Sequence, residues 1–123
     1  MSLTLDDNHA VYQVRAYRPG SIQVNEDTFT QSLIVTPSKI ITPWKPQFIT
    51  DLVSSDFDDI CQLKPTLLLI GTGNKLTFPP ITTYGHLINL GIGVEIMDTH
   101  AACRTYNVLT AENRNVAAAL IIK

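Results

Sequence analysis

Cysteine is scarce: Cys61 and Cys103 are the only two in the chain, and no CxxC pair exists. That argues against a disulfide-rich secreted scaffold and against a zinc or thioredoxin-type site, and it makes a reducing compartment the expectation. Charge is sparse too, with nine Lys and Arg against eleven Asp and Glu, a formal net charge of -2 at pH 7 and no basic cluster. Nucleic-acid binding through phosphate neutralisation is therefore not expected. Long apolar runs are also missing. The longest, Val116 to Ile122, falls far below the roughly 20 residues that a membrane-spanning helix requires. The opening Met1-Ser2-Leu3-Thr4-Leu5-Asp6-Asp7 places two carboxylates where a secretory signal carries Lys or Arg before an apolar stretch. A cytoplasmic protein without a transmembrane segment is expected, with peripheral membrane association left open.

What the chain does have is apolar content: 45% of its 123 residues are hydrophobic, enough for one packed domain over residues 1–123 and too much for disorder. The first half reads as β-structure. Val11 to Tyr17 alternates β-formers and ends at the Arg18-Pro19-Gly20 turn; Ser21 to Val24 and Thr28 to Phe29 flank a polar turn at Asn25-Glu26-Asp27. Ser32 to Thr36 and Ile40 to Thr42 continue the pattern across Pro37-Ser38-Lys39.

The second half changes period. Ser54 or Ser55 is placed to cap a short helix through Leu63, with Asp56, Asp58 and Asp59 as its solvated first turn and Pro65 as its stop. Thr66 to Ile70 reads as a strand buried on both faces, ended by Gly71-Thr72-Gly73. Pro79 and Pro80 open a helix with an apolar stripe of Ile81, Tyr84, Leu87 and Ile88, closed by Gly91. A strand at Gly93 to Met97, a helix from Asp98 or Thr99 to about Asn113 and a last strand at Asn115 to Ile122, for which three consecutive alanines leave helix as the alternative, complete the chain. This order predicts an α/β fold of three layers: a mixed central sheet with a parallel core, plus an additional antiparallel β layer. It also puts Gly71-Thr72-Gly73 beside Asp98-Thr99, at the carboxyl ends of parallel strands.

Two segments carry candidate chemistry. Gly71, Thr72, Gly73 and Asn74 follow a buried strand, where open α/β sheets bind ligands, and Lys75 stands ready for an anion. A dinucleotide fingerprint is not met, because position 76 is Leu76 rather than glycine. The plain alternative is a tight turn that needs glycine at positive φ. Cys103, beside Arg104 and near a helix start, would be a nucleophile if its thiol pKa were lowered, with His100 as a base; the alternative is a buried, inert cysteine. Arg104 and Asn107, with Tyr106, either bind a carboxylate or tie the helix to a neighbouring segment, and Arg104 is expected to do the tying. His9 and His86 stand alone, so no metal site and no cofactor are expected.

The stretches PTLLLIGTGNKLTFPP (Pro65 to Pro80) and LGIGVEIMDTHAACRTYNVLTAENRNVAAALI (Leu90 to Ile121) resemble the mitochondrial respiratory complex I assembly factor three family and its bacterial members. The GTG turn, the later FP, GIGVE, the Met-Asp-Thr step and RTYN in that order are far more specific together than singly. The resemblance implies a three-layer α/β fold, no established catalytic activity and, as for the mitochondrial members, a chaperone-like role with a protein partner in building a respiratory or other membrane complex. A non-enzymatic interaction factor is thus the leading expectation, with a protein partner or a homo-oligomer. The rival is a small-molecule or anion-binding protein or enzyme that uses the Gly71 to Asn74 turn together with Cys103, Arg104 and Asn107. Trp44, held between Pro43 and Pro46, is the expected interaction residue; its alternative is to cover the sheet of its own chain.

Overall fold

A computed structural model describes residues 10–123 of the chain, so the readings made on Met1 to Asp7 and on His9 lie outside the described residues. Among the described residues eight strands form two sheets. β1 (Val14–Arg18), β2 (Ser21–Val24) and β3 (Asp27–Phe29) make an antiparallel meander in that order. β4 (Leu33–Val35), β5 (Ile40–Ile41), β6 (Leu67–Thr72), β7 (Gly93–Met97) and β8 (Val116–Ile121) make a mixed sheet in the order β5-β4-β8-β6-β7. Within it β6 runs parallel to both β7 and β8, and β4 lies antiparallel to β8. The expected α/β architecture, with a parallel core and a separate antiparallel layer, is the architecture found.

Side-chain alternation across this sheet sorts the core into two halves. Leu33 and Val35, Leu69, and Val116, Ala118 and Leu120 face one side, where they pack with Val14, Ile22 and Val24 of the meander and with Ala102, Cys103 and Tyr106. Ile34, Leu68, Ile70, Ala117, Ala119 and Ile121 face the other, against Trp44, Phe57, Ile60 and Leu87. β8 is buried at every residue. Its three alanines are the small floor on which Tyr106 packs from one side and Trp44 and Phe57 from the other.

Three α-helices cover these faces: α1 (Asp58–Leu63), α2 (Ile81–Asn89) and α3 (Thr99–Ala111). The reading of Asp56, Asp58 and Asp59 as one solvated helix start is corrected. Two 3-10 turns, Ile49–Asp51 and Ser54–Phe57, precede α1, and neither Ser54 nor Ser55 caps it. Asp56 is buried instead: its Oδ2 accepts the Val53 N–H at 2.8 Å, and its Oδ1 lies 3.1 Å from Lys45 Nζ. Nor does the apolar stripe of α2 all turn inward: Leu87 is buried while Ile81 and Ile88 are 58% and 50% exposed. α3 begins as expected at Asp98, whose Oδ1 accepts the Ala101 N–H at 2.9 Å.

β1 is shorter than its sequence suggests. Its register steps from Val14↔Val24 to Ala16↔Gln23, which leaves Arg15 as the extra residue of a β-bulge.

Candidate functional site

The Gly71-Thr72-Gly73 segment is a junction between β6 and α3. Gly71 and Thr72 belong to the strand itself, which runs two residues further than the sequence reading placed it. A Cβ on Gly71 would stand 2.8 Å from Thr99 Oγ1 and 3.1 Å from Thr99 Cα, so glycine is what lets α3 start against the strand. Gly73, at φ +99°, then turns the chain. Its N–H donates to Thr99 Oγ1 at 2.8 Å and its carbonyl accepts the Thr99 N–H at 3.0 Å, while the Thr99 hydroxyl donates to the Ile121 carbonyl. The GTG segment and Asp98-Thr99 therefore meet as expected, and the polar backbone of Gly73 is spent on that meeting. Thr72 is likewise engaged: its hydroxyl donates to the Lys75 carbonyl at 2.6 Å and accepts the Thr77 N–H at 3.2 Å. Asn74 and Lys75 are left exposed at the rim of a cavity of about 270 Å³ that also touches Phe48, Thr50 and Lys123.

Cys103, Arg104 and Asn107 line a different cavity, of about 140 Å³, between α3 and β1. The expectation that Gly71 to Asn74 and Cys103 to Asn107 form one site is corrected: Asn74 opens toward the Phe48 side, and the α3 residues open toward Val14, Arg15 and Tyr17. Cys103 is 5% exposed. Burial, reinforced by the Asp98 carboxylate, pushes its thiol up to about 12, the reverse of what a nucleophile at neutral pH requires. Tyr17, on the same cavity, is raised by burial first and then by Cys103 and Asp98.

The tie between α3 and its neighbour exists, but Arg104 does not make it. Arg104 is exposed. Asn107 accepts the Val14 N–H at 3.1 Å and donates its amide to the Val14 carbonyl at 2.7 Å, standing in for a missing strand partner at the edge of β1. Next to it in sequence Tyr106, fully buried, donates its hydroxyl to the Tyr12 carbonyl at 2.7 Å, and burial raises its pKa. An Asn in mid-helix beside a buried Tyr is a signal that the sequence did offer.

Trp44 is corrected as well. It is 4% exposed, its ring centroid lies 5.8 Å from that of Phe57, and its indole N–H donates to the Asp56 carbonyl at 2.8 Å. It covers its own sheet and presents no surface. The exposed large apolar side chains lie elsewhere: of the nine among the described residues, seven, namely Phe48, Val53, Leu76, Phe78, Ile81, Ile88 and Leu90, fall within residues 48–53 and 76–90. Ile81 and Ile88, seven residues apart, share one stripe of α2. Phe78, the most exposed at 69%, lies three residues before the start of that helix. Among the described residues no helix is long and apolar enough to cross a membrane.

Comparison with known proteins matches residues 14–121 to the family described as "Protein of unknown function (DUF498/DUF598)". The chain is 30% identical over 122 residues to a "13 kDa major membrane protein" of Francisella tularensis, covering 98% of this chain and 99% of that one. It is 31% identical over 110 residues to the NADH dehydrogenase (ubiquinone) 1 alpha subcomplex assembly factor 3 of Danio rerio, covering 88% of this chain but only 63% of that factor's length. A solution structure of a Bordetella pertussis protein described as a Mth938-like domain superposes with a TM-score of 0.83 at 31% identity, covering 99% of this chain and 92% of that one.

Proposed function

The chain belongs to the DUF498/DUF598 family and is similar to assembly factors of NADH dehydrogenase, and we propose on that premise that it is a non-enzymatic, chaperone-like interaction factor assisting assembly of a respiratory membrane complex. The observation that carries this reading is the apolar flank built from α2 and the 48–53 and 76–78 loops, where Phe48, Leu76, Phe78, Ile81 and Ile88 face solvent. Large apolar side chains gathered on one flank mark a protein-contacting surface more often than a catalytic one. The chemistry of Cys103 points the same way: a thiol held neutral by burial supplies no nucleophile.

Mechanistically, such a factor would cover an apolar surface of an unfinished subunit until its permanent neighbour arrives. A contact of this kind releases readily when a larger apolar interface competes for the same surface. The test is deletion in the native host followed by native-gel analysis of the respiratory NADH dehydrogenase. Accumulated subcomplexes, rescued by the wild-type chain but not by a Phe78→Ser/Ile88→Ser variant, are the expected outcome. Normal levels of the full complex without subcomplexes would remove the proposal.

A further inference from the structure

The bulge in β1 turns Tyr17 to the core beside Val14 and leaves Arg15 and Ala16 both exposed. In a regular strand Val14 and Ala16 would share one face, with Arg15 and Tyr17 on the other. The extra residue at Arg15 resets this. Val14 and Tyr17 both turn to the core, Tyr17 donating its hydroxyl to the Ile122 carbonyl at 3.3 Å, and Arg15 is left exposed beside the first turns of α3. On that helix His100 and Arg104 are four residues apart and share a face. Arg15, His100 and Arg104 all line the cavity of about 140 Å³, with Val14, Ala16 and Cys103 as its less polar wall.

These side chains have no other visible employment. Among the described residues the one ion pair is that of Lys45 with Asp56, and neither guanidinium nor the His100 imidazole makes a side-chain hydrogen bond. The acid nearest in sequence, Asp98, is not among the lining residues; its Oδ1 accepts the Ala101 N–H, and its charge reaches the cavity wall through Cys103 and Tyr17. The Asn107 amide is committed to Val14. Two guanidiniums and an imidazole around one small concavity thus outnumber the single carboxylate, Asp98, that acts at its margin.

We infer that this cavity binds a compact oxyanion of phosphate size, held between the Arg15 and Arg104 guanidiniums with His100 as a further donor. Guanidinium forks match phosphate and carboxylate oxygens in geometry as well as charge. The concavity, about 140 Å³ and open to solvent on one side, admits a five-atom oxyanion. The inference stands apart from the assembly reading, since it uses the opposite face of the molecule. Its ligand is either the free anion or the phosphate end of a small organic ester.

Amide NMR titration at constant pH and ionic strength tests it, with inorganic phosphate in one arm and glycerol 3-phosphate in the other. Saturable shifts are expected at residues 14–17 and 100–107, and none at residues 36–38 and 113–115, which line a separate cavity of about 340 Å³. Arg15→Gln or Arg104→Gln should each weaken binding about tenfold, and the double variant should abolish it. Arg104→Lys, which keeps the charge but loses the fork, should fall between. Equal affinity in the two arms assigns the free anion; tighter glycerol 3-phosphate assigns the ester. Shifts that stay linear to about 50 mM phosphate, or a double variant that binds like the wild type with an unchanged spectrum elsewhere, would overturn it.

Discussion

The two faces of the five-stranded sheet are covered by different means. On the α3 face, polar side chains fasten element to element: Thr99 to Gly73 and Ile121, Asn107 to both backbone groups of Val14, Tyr106 to Tyr12. On the α2 face the cover is made of short pieces, two 3-10 turns and helices of six and nine residues, packed through Trp44, Phe57, Ile60 and Leu87. The fastened face ends in a small polar cavity. The other ends in exposed aromatic and aliphatic side chains. Hydrogen bonds between distant segments fix geometry, whereas short amphipathic pieces leave apolar surface that their own length cannot cover.

Trp44→Ala should produce the largest loss. It empties a site 4% exposed and strands the Asp56 carbonyl that its indole satisfies, which costs about 3–5 kcal/mol in urea unfolding. A variant of normal stability that failed only in partner capture would move Trp44 from the core to the interface and dissolve the contrast drawn above. Next comes Gly71→Ala, on the fastened face. Its new Cβ must displace Thr99, for a cost of about 1–3 kcal/mol. Asn107→Ala removes two bonds to Val14 and should cost about 1–3 kcal/mol, with exchange protection lost first at β1. Arg104→Gln, by contrast, should stay within about 0.5 kcal/mol of wild type.

Alkaline pH sharpens the same comparison. Cys103 titrates at about 12 in the folded protein against an ordinary value near 9, so the folded state holds on to a proton that the unfolded chain gives up. The stabilisation is complete below pH 9 and is lost as pH climbs from 9 toward 12, at a slope approaching about 1.4 kcal/mol per pH unit. Tyr106 and Tyr17, which burial also raises above their ordinary value of 10, add to the slope at higher pH, so Cys103→Ala should reduce it, most clearly between about pH 9 and 10. In the native protein, Cys61, which is half-buried, should react with a thiol reagent well before Cys103 does.

How much of this was legible depended on whether the signal was local. The apolar run at Leu67 to Ile70, the Pro80 start and Gly91 end of α2, and the Asp98 cap are all written in neighbouring residues, and the order of these elements implies the parallel core. Gly71 and Gly73 were readable as positions that require glycine, but their partner, Thr99, lies 26 residues beyond Gly73, and only the fold reveals it. The bulge at Arg15 leaves no trace in Val-Arg-Ala-Tyr-Arg, because it arises from pairing with β2. Trp44 was misplaced for a related reason: its flanking prolines suggest an exposed strap, yet the alanines of β8 open the space into which it folds. The stripe of α2 was legible as apolar, but not which part of it stays outside.

The smallest expected effect on stability carries the most about function. Phe78 and Ile88 are 69% and 50% exposed, so Phe78→Ser and Ile88→Ser give up little buried area and should each change unfolding free energy by about 0.5 kcal/mol or less. Their removal nevertheless takes two large apolar groups from the flank that faces solvent. If that flank contacts a partner, the double variant should keep its fold, its alkaline slope and any anion shifts at Arg15 and Arg104, and yet fail to rescue assembly in the deletion host. A double variant that rescues fully would show that the exposed side chains of the α2 face are a by-product of its short elements. The fastened face would then be the place to look for the protein's work.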